Sequence, residues 1–352
     1  MLSTLKKLNN YSDIIGRENL KKHFLSLARS ASDRVFIINA PQGSDKELWA
    51  KALSYNILCQ YPDDKGACQT CKVCKYILAG TNPDYQEILL ETASKNIPVD
   101  EIRVKIHAEI YLSPQFGTKK LWYIDGNGLS EIDQNALLKV LEEPPSYAYF
   151  VICIDDKTTL LPTLRSRAIE LDIPALNNEE LELLFDINDV QDVVRRNLAS
   201  SFSSGLPLLA LDLVNDQEFL EKRSEIFQWF SGFLFHNAAE VLTTDYAFWE
   251  SYKDNIEHVL LFLQSFIRDL SILSFKSSND DSVRLKRSAT VKLMNADFEH
   301  ELMILTENKG FTVTVLAEVL KILNDLNKRL KANANFEMSV CSALLRIRTI
   351  LA

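Results

Sequence analysis

The sequence predicts a parallel α/β domain followed by two helical domains. In the first half, short apolar runs alternate with segments whose apolar residues recur every three or four positions. This pattern is typical of a parallel sheet covered by helices. After Pro174 the strand-like runs fade, and from about residue 216 nearly every segment has helical periodicity. We therefore predict an α/β domain at 1–174, a small helical lid at 175–215 and an all-α domain at 216–352.

Five apolar runs in the first half have the length of buried strands and are followed by turn residues. The predicted strands are 33–40, 84–91, 119–126, 147–156 and 169–174. Amphipathic helices are predicted between them, at 46–58, 99–112 and 130–143. Beyond the last strand, Asn177 and Asn178 precede acidic residues, which predicts the start of a helix.

The second half is predicted to be helical in three long segments. These are 219–235, which is rich in Phe and Trp, 258–275 and 315–330, with a polar loop at 276–282. In the last segment the apolar residues Leu316, Val319, Leu320, Leu323, Leu326 and Leu330 form one stripe along the helix. That stripe predicts packing against other helices.

Composition excludes several classes of protein. The chain has 352 residues, 47% of them apolar and 25% charged, as in ordinary globular proteins. A net charge of −9 disfavours strong autonomous binding to DNA or RNA, because phosphates repel a net anion unless its cations are gathered on one face. No apolar run approaches the ~18 residues that span a bilayer. The N-terminal MLSTLKKLNN lacks the apolar stretch of a secretory signal, so we expect a cytoplasmic protein.

Four of the six cysteines are grouped as Cys59, Cys68, Cys71 and Cys74. In a reducing compartment such a group favours a metal site over disulfides. Four thiolates complete the tetrahedral shell of a structural zinc ion, and the two-residue gaps let successive sulfurs turn toward one ion. The alternatives are an iron–sulfur cluster, which four cysteines can also hold, and four unrelated buried cysteines.

The turn after the first strand resembles a damaged phosphate loop. A working loop has the pattern G-x-x-x-x-G-K-[S/T], in which the lysine bridges phosphates and the hydroxyl holds magnesium. Here Gly43 and Lys46 remain, but Ala40 replaces the first glycine, Asp45 replaces the second and Glu47 replaces the hydroxyl residue. Two carboxylates beside a triphosphate are repulsive. The loop is therefore interpreted as a lost nucleotide site, and the alternative is an ordinary strand–helix turn.

A second part of the same site is also incomplete. The apolar run LWYIDG ends with Asp125, at the position expected for an aspartate that orders a metal ion. The next residue is Gly126, so the carboxylate that would activate water is missing.

Four longer segments now identify a family. They are DIIGRENLKKHF at 13–24, IPVDEIR at 97–103, NALLKVLEEPP at 135–145 and LLPTLRSR at 160–167. Together they closely resemble bacterial clamp-loader AAA+ subunits, in the same order and at similar spacing, over residues 1 to about 215. The resemblance implies an AAA+ core with an inserted zinc module at 59–74, then a helical lid and a C-terminal collar that holds subunits in a ring.

That family contains ATP-hydrolysing motor subunits, gamma/tau, and a non-catalytic subunit. The loss of G-K-[S/T], of the acidic residue after Asp125 and of a lid arginine within SSGLPLLALDL (203–213) favours the non-catalytic kind, which binds no ATP. The implied partners are the delta and gamma/tau subunits and, indirectly, the sliding clamp and primed DNA. The alternative is an active AAA+ ATPase with an atypical phosphate loop, supported by Lys46 and Asp125.

The resemblance also assigns a role to Arg167. Ser166-Arg167-Ala168 is similar to the family's Ser-Arg-Cys motif, whose arginine reaches into the nucleotide site of the neighbouring subunit. Ala168 departs from that motif without changing the charge or reach of the arginine. Arg165 is the rival, and a surface salt bridge is the alternative for either arginine. The carboxylates in LEEPP, Glu142 and Glu143, are assigned to helix termination before two prolines.

Overall fold

The structure is a computed structural model that describes residues 10–30, 33–90, 106–277, 293–309, 311–332 and 334–351. The chain divides into two compact units. Unit 1 comprises Met1–Gln191 with Ser203–Leu211, and unit 2 comprises Asp192–Phe202 with Asp212–Ala352. The finer division into core, lid and collar at 174 and 215 stays a prediction.

Unit 1 is built on a five-stranded sheet in which every neighbouring pair is parallel. The strands are β1 (Val35–Asn39), β2 (Tyr85–Ile88), β3 (Lys120–Asp125), β4 (Ala148–Ile154) and β5 (Ile169–Asp172). Their order across the sheet is β2-β3-β4-β1-β5. Each lies within a predicted strand, so the predicted parallel α/β fold is confirmed.

Both faces of the sheet are buried. Successive strand residues point to opposite faces, so β1, β3 and β4 each contribute to two separate apolar clusters. One face carries Phe36, Ile38, Leu121, Tyr123, Tyr149, Val151 and Cys153, and the other carries Val35, Ile37, Trp122, Ile124, Phe150, Ile152 and Ile154. Strands buried on both sides read as continuous apolar runs, which is why the sequence shows them so clearly.

Helices cover both faces of the sheet. Those of unit 1 are α1 (Glu18–Arg29), α2 (Lys46–Leu58), α3 (Lys72–Leu78), α4 (Glu131–Glu142), α5 (Pro162–Arg165) and α6 (Asn178–Ile187). The predicted start of α6 is confirmed, since Asn177 accepts a hydrogen bond from the Glu180 amide and closes a capping box. The first half of the predicted helix 99–112 lies outside the described residues, and 108–111 form a turn.

Unit 2 is helical throughout its described residues. Its helices are α7 (Val193–Ser203), α8 (Pro207–Asn215), whose first turns belong to unit 1, α9 (Gln217–Phe233), α10 (Ala238–Glu240), α11 (Tyr246–Ser251), α12 (Ile256–Ser277), α13 (Glu299–Lys309), α14 (Val313–Lys331) and α15 (Phe336–Leu351). The three predicted long segments correspond to α9, α12 and α14. The predicted loop at 276–282 lies mostly outside the described residues.

The core of unit 2 contains the predicted stripe of α14. Leu316, Val319, Leu323 and Leu326 are fully buried there, and Leu320 and Leu330 pack at its border. Among the described residues, one segment, Lys253–Phe275, is long and apolar enough to cross a membrane by length and composition. However, 56% of its most apolar window is buried within the protein, and the core helix of a helical protein passes the same test. It is weak evidence for a membrane span.

Candidate functional site

The altered phosphate loop lies between β1 and α2, at the carboxyl edge of the sheet. Gly43 has φ +84°, and a Cβ atom there would lie 3.0 Å from Cβ of Leu209. The Gly43 carbonyl accepts hydrogen bonds from the amides of Leu208 (2.9 Å) and Leu209 (3.1 Å). The loop is therefore packed against the first turn of α8, with an apolar side chain directly on its glycine.

Asp45 occupies the N-cap position of α2 but does not cap the helix with its side chain. Its carboxylate instead accepts hydrogen bonds from both terminal nitrogens of Arg17. Nη1 donates to Oδ1 at 2.8 Å, and Nη2 donates to Oδ2. Each side chain of this ion pair is only 5% exposed. In proteins with a working phosphate loop, the phosphate groups bind at the N-terminus of the helix that follows the loop. In this chain a buried protein ion pair lies there.

Arg17 is held from several directions. Its guanidinium lies 5.2 Å from the centre of the Trp49 ring and also donates to the carbonyls of Ile15 and Pro174. Its own amide donates to Oε1 of Glu180 at 2.7 Å. The preceding Gly16 has φ +64°, and the Glu180 carboxylate occupies the space that a Cβ atom would need. Arg17 lies in the DIIGRE segment that carries the family resemblance, but its spacing in the sequence does not predict these contacts.

Lys46 is retained but already has a partner. Its side chain is 8% exposed, and Nζ lies 2.6 Å from Oδ1 of Asp155, the residue that follows β4. Nζ also donates to the Pro41 carbonyl at 3.5 Å. A lysine fixed in this way is not available to bridge phosphates unless the pair with Asp155 breaks.

Cys153, in β4 near Lys46, is not a nucleophile. Burial raises the pKa of the Cys153 thiol to about 12, despite the opposing charge of Lys46. Cys153 is therefore protonated at neutral pH and behaves as an apolar core residue. Asp125 accepts a hydrogen bond from the Asn127 amide at 3.1 Å and closes the turn after β3.

Gly126 is enclosed by β4. A Cβ atom at this position would lie 3.0 Å from Cγ2 of Ile152, 3.1 Å from the carbonyl oxygen of Cys153 and 3.1 Å from Cβ of Ile154. Two of these contacts involve atoms that cannot move without shifting the strand. The site thus lacks a carboxylate after Asp125, and a side chain at this position would push against the backbone of β4.

We expect Gly126→Ala to destabilise the protein by about 1–3 kcal/mol, because one extra methyl group forces β3 and β4 apart. Chemical denaturation followed by circular dichroism measures this loss. Gly232→Ala in α9 is the control, since a Cβ atom there would meet only His236 atoms at 3.7–3.9 Å. Wild-type stability of Gly126→Ala would show that this turn accepts a side chain.

The two candidate arginines have different surroundings. Arg165 makes a bidentate pair with Glu170, at 2.8 Å and 3.1 Å, and this pair lowers the pKa of the Glu170 carboxyl. Arg167 donates through Nη2 to Oε1 of Glu142 at 2.6 Å and through Nη1 to the carbonyl of Thr163. Ser166 donates its hydroxyl to the same Thr163 carbonyl at 3.0 Å. Arg167 therefore lies on the surface in contact with an exposed carboxylate.

A cavity of about 500 Å³ opens beside Arg167, at the amino edge of the sheet. Its lining includes Arg34, Leu141, Pro144, Ser166 and Arg167. Its charged lining residues are Asp33, Arg34 and Arg167. The altered phosphate loop lies at the opposite, carboxyl edge of the sheet. Unit 1 thus places Arg167 and this loop at different edges of the sheet.

The four grouped cysteines converge on one point. Their Sγ atoms all lie within 4.8 Å of one another, and none is in a disulfide. Zn–S bonds of about 2.3 Å in a tetrahedron put the sulfurs about 3.8 Å apart, so closing this group onto an ion needs shifts of about 1 Å or less. The cluster can hold a metal ion through four sulfur ligands.

The backbone around the cluster is arranged for negatively charged sulfur. The amides of Cys68, Cys71 and Cys74 point at Sγ of Cys59, Cys68 and Cys71, at 3.2, 3.4 and 3.5 Å. Burial raises the pKa of Cys59 and Cys74, so the four thiols do not all ionise by themselves. A divalent cation would supply the missing charge and deprotonate them. The donor set therefore fits a soft or borderline cation such as zinc.

The cysteine segment packs on unit 1. Ala67, Val73 and Ile77 belong to the same apolar cluster as Trp49 and the sheet. Asn10 donates to the Ala67 carbonyl at 3.0 Å, and the Tyr11 amide donates to the Lys65 carbonyl at 3.2 Å. The segment is thus packed into the apolar core of unit 1.

These features define a parallel α/β domain whose loop after β1 is packed against side chains of its own chain. A family model described as "DNA polymerase III, delta subunit" matches residues 17–177. DNA polymerase III subunit delta′ of Haemophilus influenzae is 30% identical over 237 residues, which cover 66% of this chain and 70% of that protein. The chain therefore belongs to the delta′ family of DNA polymerase III clamp-loader subunits.

Two other relatives match shorter stretches of the chain than the Haemophilus influenzae protein does. Subunit delta′ of Escherichia coli K12 is 33% identical over 154 residues, 43% of this chain and 45% of that protein, so the chain spans about half the length of this relative. DNA polymerase III subunit tau of Bacillus subtilis is 28% identical over 173 residues, 49% of this chain and 30% of that protein. A solved gamma subunit-related protein of Thermotoga maritima covers 95% of this chain and is itself fully covered, at 18% identity and a TM-score of 0.44.

Proposed function

We propose that this chain is the non-catalytic delta′ subunit of a DNA polymerase III clamp loader, which helps to place the sliding clamp on primed DNA during replication. The proposal rests above all on the buried Arg17–Asp45 pair at the N-terminus of α2. The pair of Lys46 with Asp155 and the enclosed Gly126 support it. A motor subunit needs all three positions for phosphate, metal and water.

The energetics favour an empty loop. For a nucleotide to bind, phosphates must enter beside Asp45 and Lys46 must leave Asp155. The Asp155 carboxylate is 40% exposed, so separating it from Lys46 costs only about 1 kcal/mol or less. The larger obstacle is the Asp45 carboxylate, which is buried in its pair with Arg17 where the phosphates would have to lie.

The family membership supports the rest of the proposal. We infer that the chain binds the delta subunit and a gamma/tau motor subunit, reaches the clamp and DNA through them, and works in the cytoplasm without a membrane. We also infer one structural zinc ion on Cys59, Cys68, Cys71 and Cys74. Arg167, with Ser166 beside it, is proposed to act in trans on ATP bound by a neighbouring motor subunit.

One observation favours a second candidate, an active gamma/tau-like ATPase. The similarity to subunit tau of Bacillus subtilis covers 49% of this chain at 28% identity, and Lys46 and Asp125 are retained. Under this alternative the Arg17–Asp45 pair would open when ATP binds.

We expect the isolated chain to show no ATP binding by calorimetry at millimolar ATP and no hydrolysis. Asp45→Gly removes one carboxylate from the loop but supplies no group after Asp125, so hydrolysis should remain absent. Asp64→Gly, at a 97% exposed carboxylate, is the control for general effects of such a change. ATP turnover by the lone wild-type chain would overturn the non-catalytic proposal and favour the motor.

A further inference from the structure

We propose that Glu142 holds Arg167 against the surface of its own chain and sets how readily this arginine moves to a phosphate. Glu142 is then a positioning residue that competes with the neighbour's nucleotide for one guanidinium. The inference rests on the proposed action of Arg167 in trans.

The contact uses both terminal nitrogens of Arg167. Nη2 donates to Oε1 of Glu142 at 2.6 Å, and Nη1 donates to the Thr163 carbonyl. The side chains of Arg167 and Glu142 are 32% and 53% exposed. Both terminal nitrogens are thus engaged within the chain, yet the pair is open to a competing anion.

The position of Glu142 is itself fixed. It is the last residue of α4, and the chain turns immediately after it through Pro144 and Pro145. Arg34 donates through Nη1 to the carbonyls of both prolines, at 3.2 Å and 2.9 Å. Arg34 thereby ties the turn to the start of β1. The backbone that follows Glu142 is thus held by Arg34.

A carboxylate and a phosphate compete for the same planar fork of donors. A phosphate group carries more charge and more oxygens, so Arg167 moves to it when a neighbour presents one and returns to Glu142 when it leaves. If only the released fraction of Arg167 binds phosphate, the apparent affinity for ATP falls by that fraction. Glu142 therefore weakens ATP binding at the neighbour's site.

The expected effect of removing the Glu142 carboxylate is a modest decrease in the KM for ATP. Exposed ion pairs shift a two-state population by about 1.4- to 5-fold. In the clamp loader reconstituted with the full chain, Glu142→Gln should lower the KM for ATP by that factor at the one motor site that faces this chain, so the KM of the whole complex falls by at most that factor while kcat stays unchanged. Removal of a competitor changes the binding of ground state and transition state equally, which appears in KM alone.

Glu143→Gln is the matched control. It makes the same change one residue later, at an exposed carboxylate that has no ion-pair partner among the described residues. It should leave KM unchanged. In an Arg167→Ala background, Glu142→Gln should also have no effect, because the carboxylate acts only through that arginine. A general structural role for Glu142 would persist in both backgrounds.

A second measurement needs no partner. In the isolated chain, NMR relaxation of the arginine side-chain Nε–H groups should show greater mobility of Arg167 in Glu142→Gln than in wild type or Glu143→Gln. If the mobility does not change, or if the KM of Glu142→Gln matches that of Glu143→Gln while Arg167→Ala lowers ATPase, the inference is wrong and the trans role stands. If Arg167→Ala leaves ATPase unchanged, the trans role fails and the inference fails with it.

Discussion

Replacing Cys71 by serine is expected to release zinc from the protein and to loosen segment 59–80. The reason is ligand chemistry. A serine hydroxyl is a far weaker ligand than a thiolate, and a structural site with three sulfurs no longer closes the tetrahedral shell. Metal analysis of the wild-type protein should find one zinc per chain, and the variant should hold well under one.

The size of the effect depends on how much of the segment's order comes from the metal. In zinc-finger peptides the ion contributes about 10–16 kcal/mol, because nothing else holds the fold. Here Val73 and Ile77 also pack into the core, so only part of such a sum is expected to be lost. The apolar cluster on the opposite face of the sheet contains none of the four cysteines and should remain intact.

Limited proteolysis with mass spectrometry measures the loosening, with new cleavages expected within 59–80. Cys341→Ser in α15 is the control, since this cysteine lies outside the cluster and should leave the zinc content unchanged. Iron with visible absorbance in place of zinc would favour the iron–sulfur alternative. Protein purified with no metal at all would leave four neighbouring thiols without a role and would refute the metal site.

The sequence predicted the parts of the molecule whose signals are local. The three central strands, β1, β3 and β4, were the most evident because both of their faces are buried, so that every residue from Phe150 to Ile154 is apolar. The cysteine cluster was also evident, since two-residue gaps place successive sulfurs on one side of the chain. The same holds for the capping box at Asn177. In each case the residues that determine the geometry are neighbours in sequence.

What the sequence did not predict depends on distant partners. Asp45 was interpreted as a carboxylate that repels phosphate, but its contact with Arg17, 28 residues earlier, makes it half of a buried ion pair. Glu142 was assigned to helix termination, and α4 does end there, yet the same carboxylate binds Arg167, 25 residues later. Spacing alone gives no indication of either contact, because each depends on how the elements pack.

Replacing Arg167 by alanine should lower the DNA-stimulated ATPase and the clamp loading of the reconstituted complex, while zinc content, folding and assembly stay unchanged. A guanidinium stays ionised and offers a planar fork to phosphate oxygens, so it stabilises the charge that develops on the γ-phosphoryl group. Dedicated arginine fingers contribute about 10³- to 10⁵-fold in rate. That factor applies to the one site that faces this chain, so the loss in total turnover is limited to the share that passes through that site.

The surroundings of Arg167 make the test selective. Its partners within the chain are an exposed carboxylate and one carbonyl, and losing an exposed pair costs about 1 kcal/mol or less, so the variant should fold normally. Arg165→Ala is the matched control, because it removes an equal charge two residues away from an arginine that is engaged with Glu170. It should leave ATPase near the wild-type rate. Arg167→Lys should recover only part of the rate, since an ammonium keeps the charge but not the fork. If the Arg167→Ala complex hydrolyses ATP and loads clamps as fast as wild type, Arg167 does not act in trans, and a chain without a working loop contributes no group to ATP chemistry.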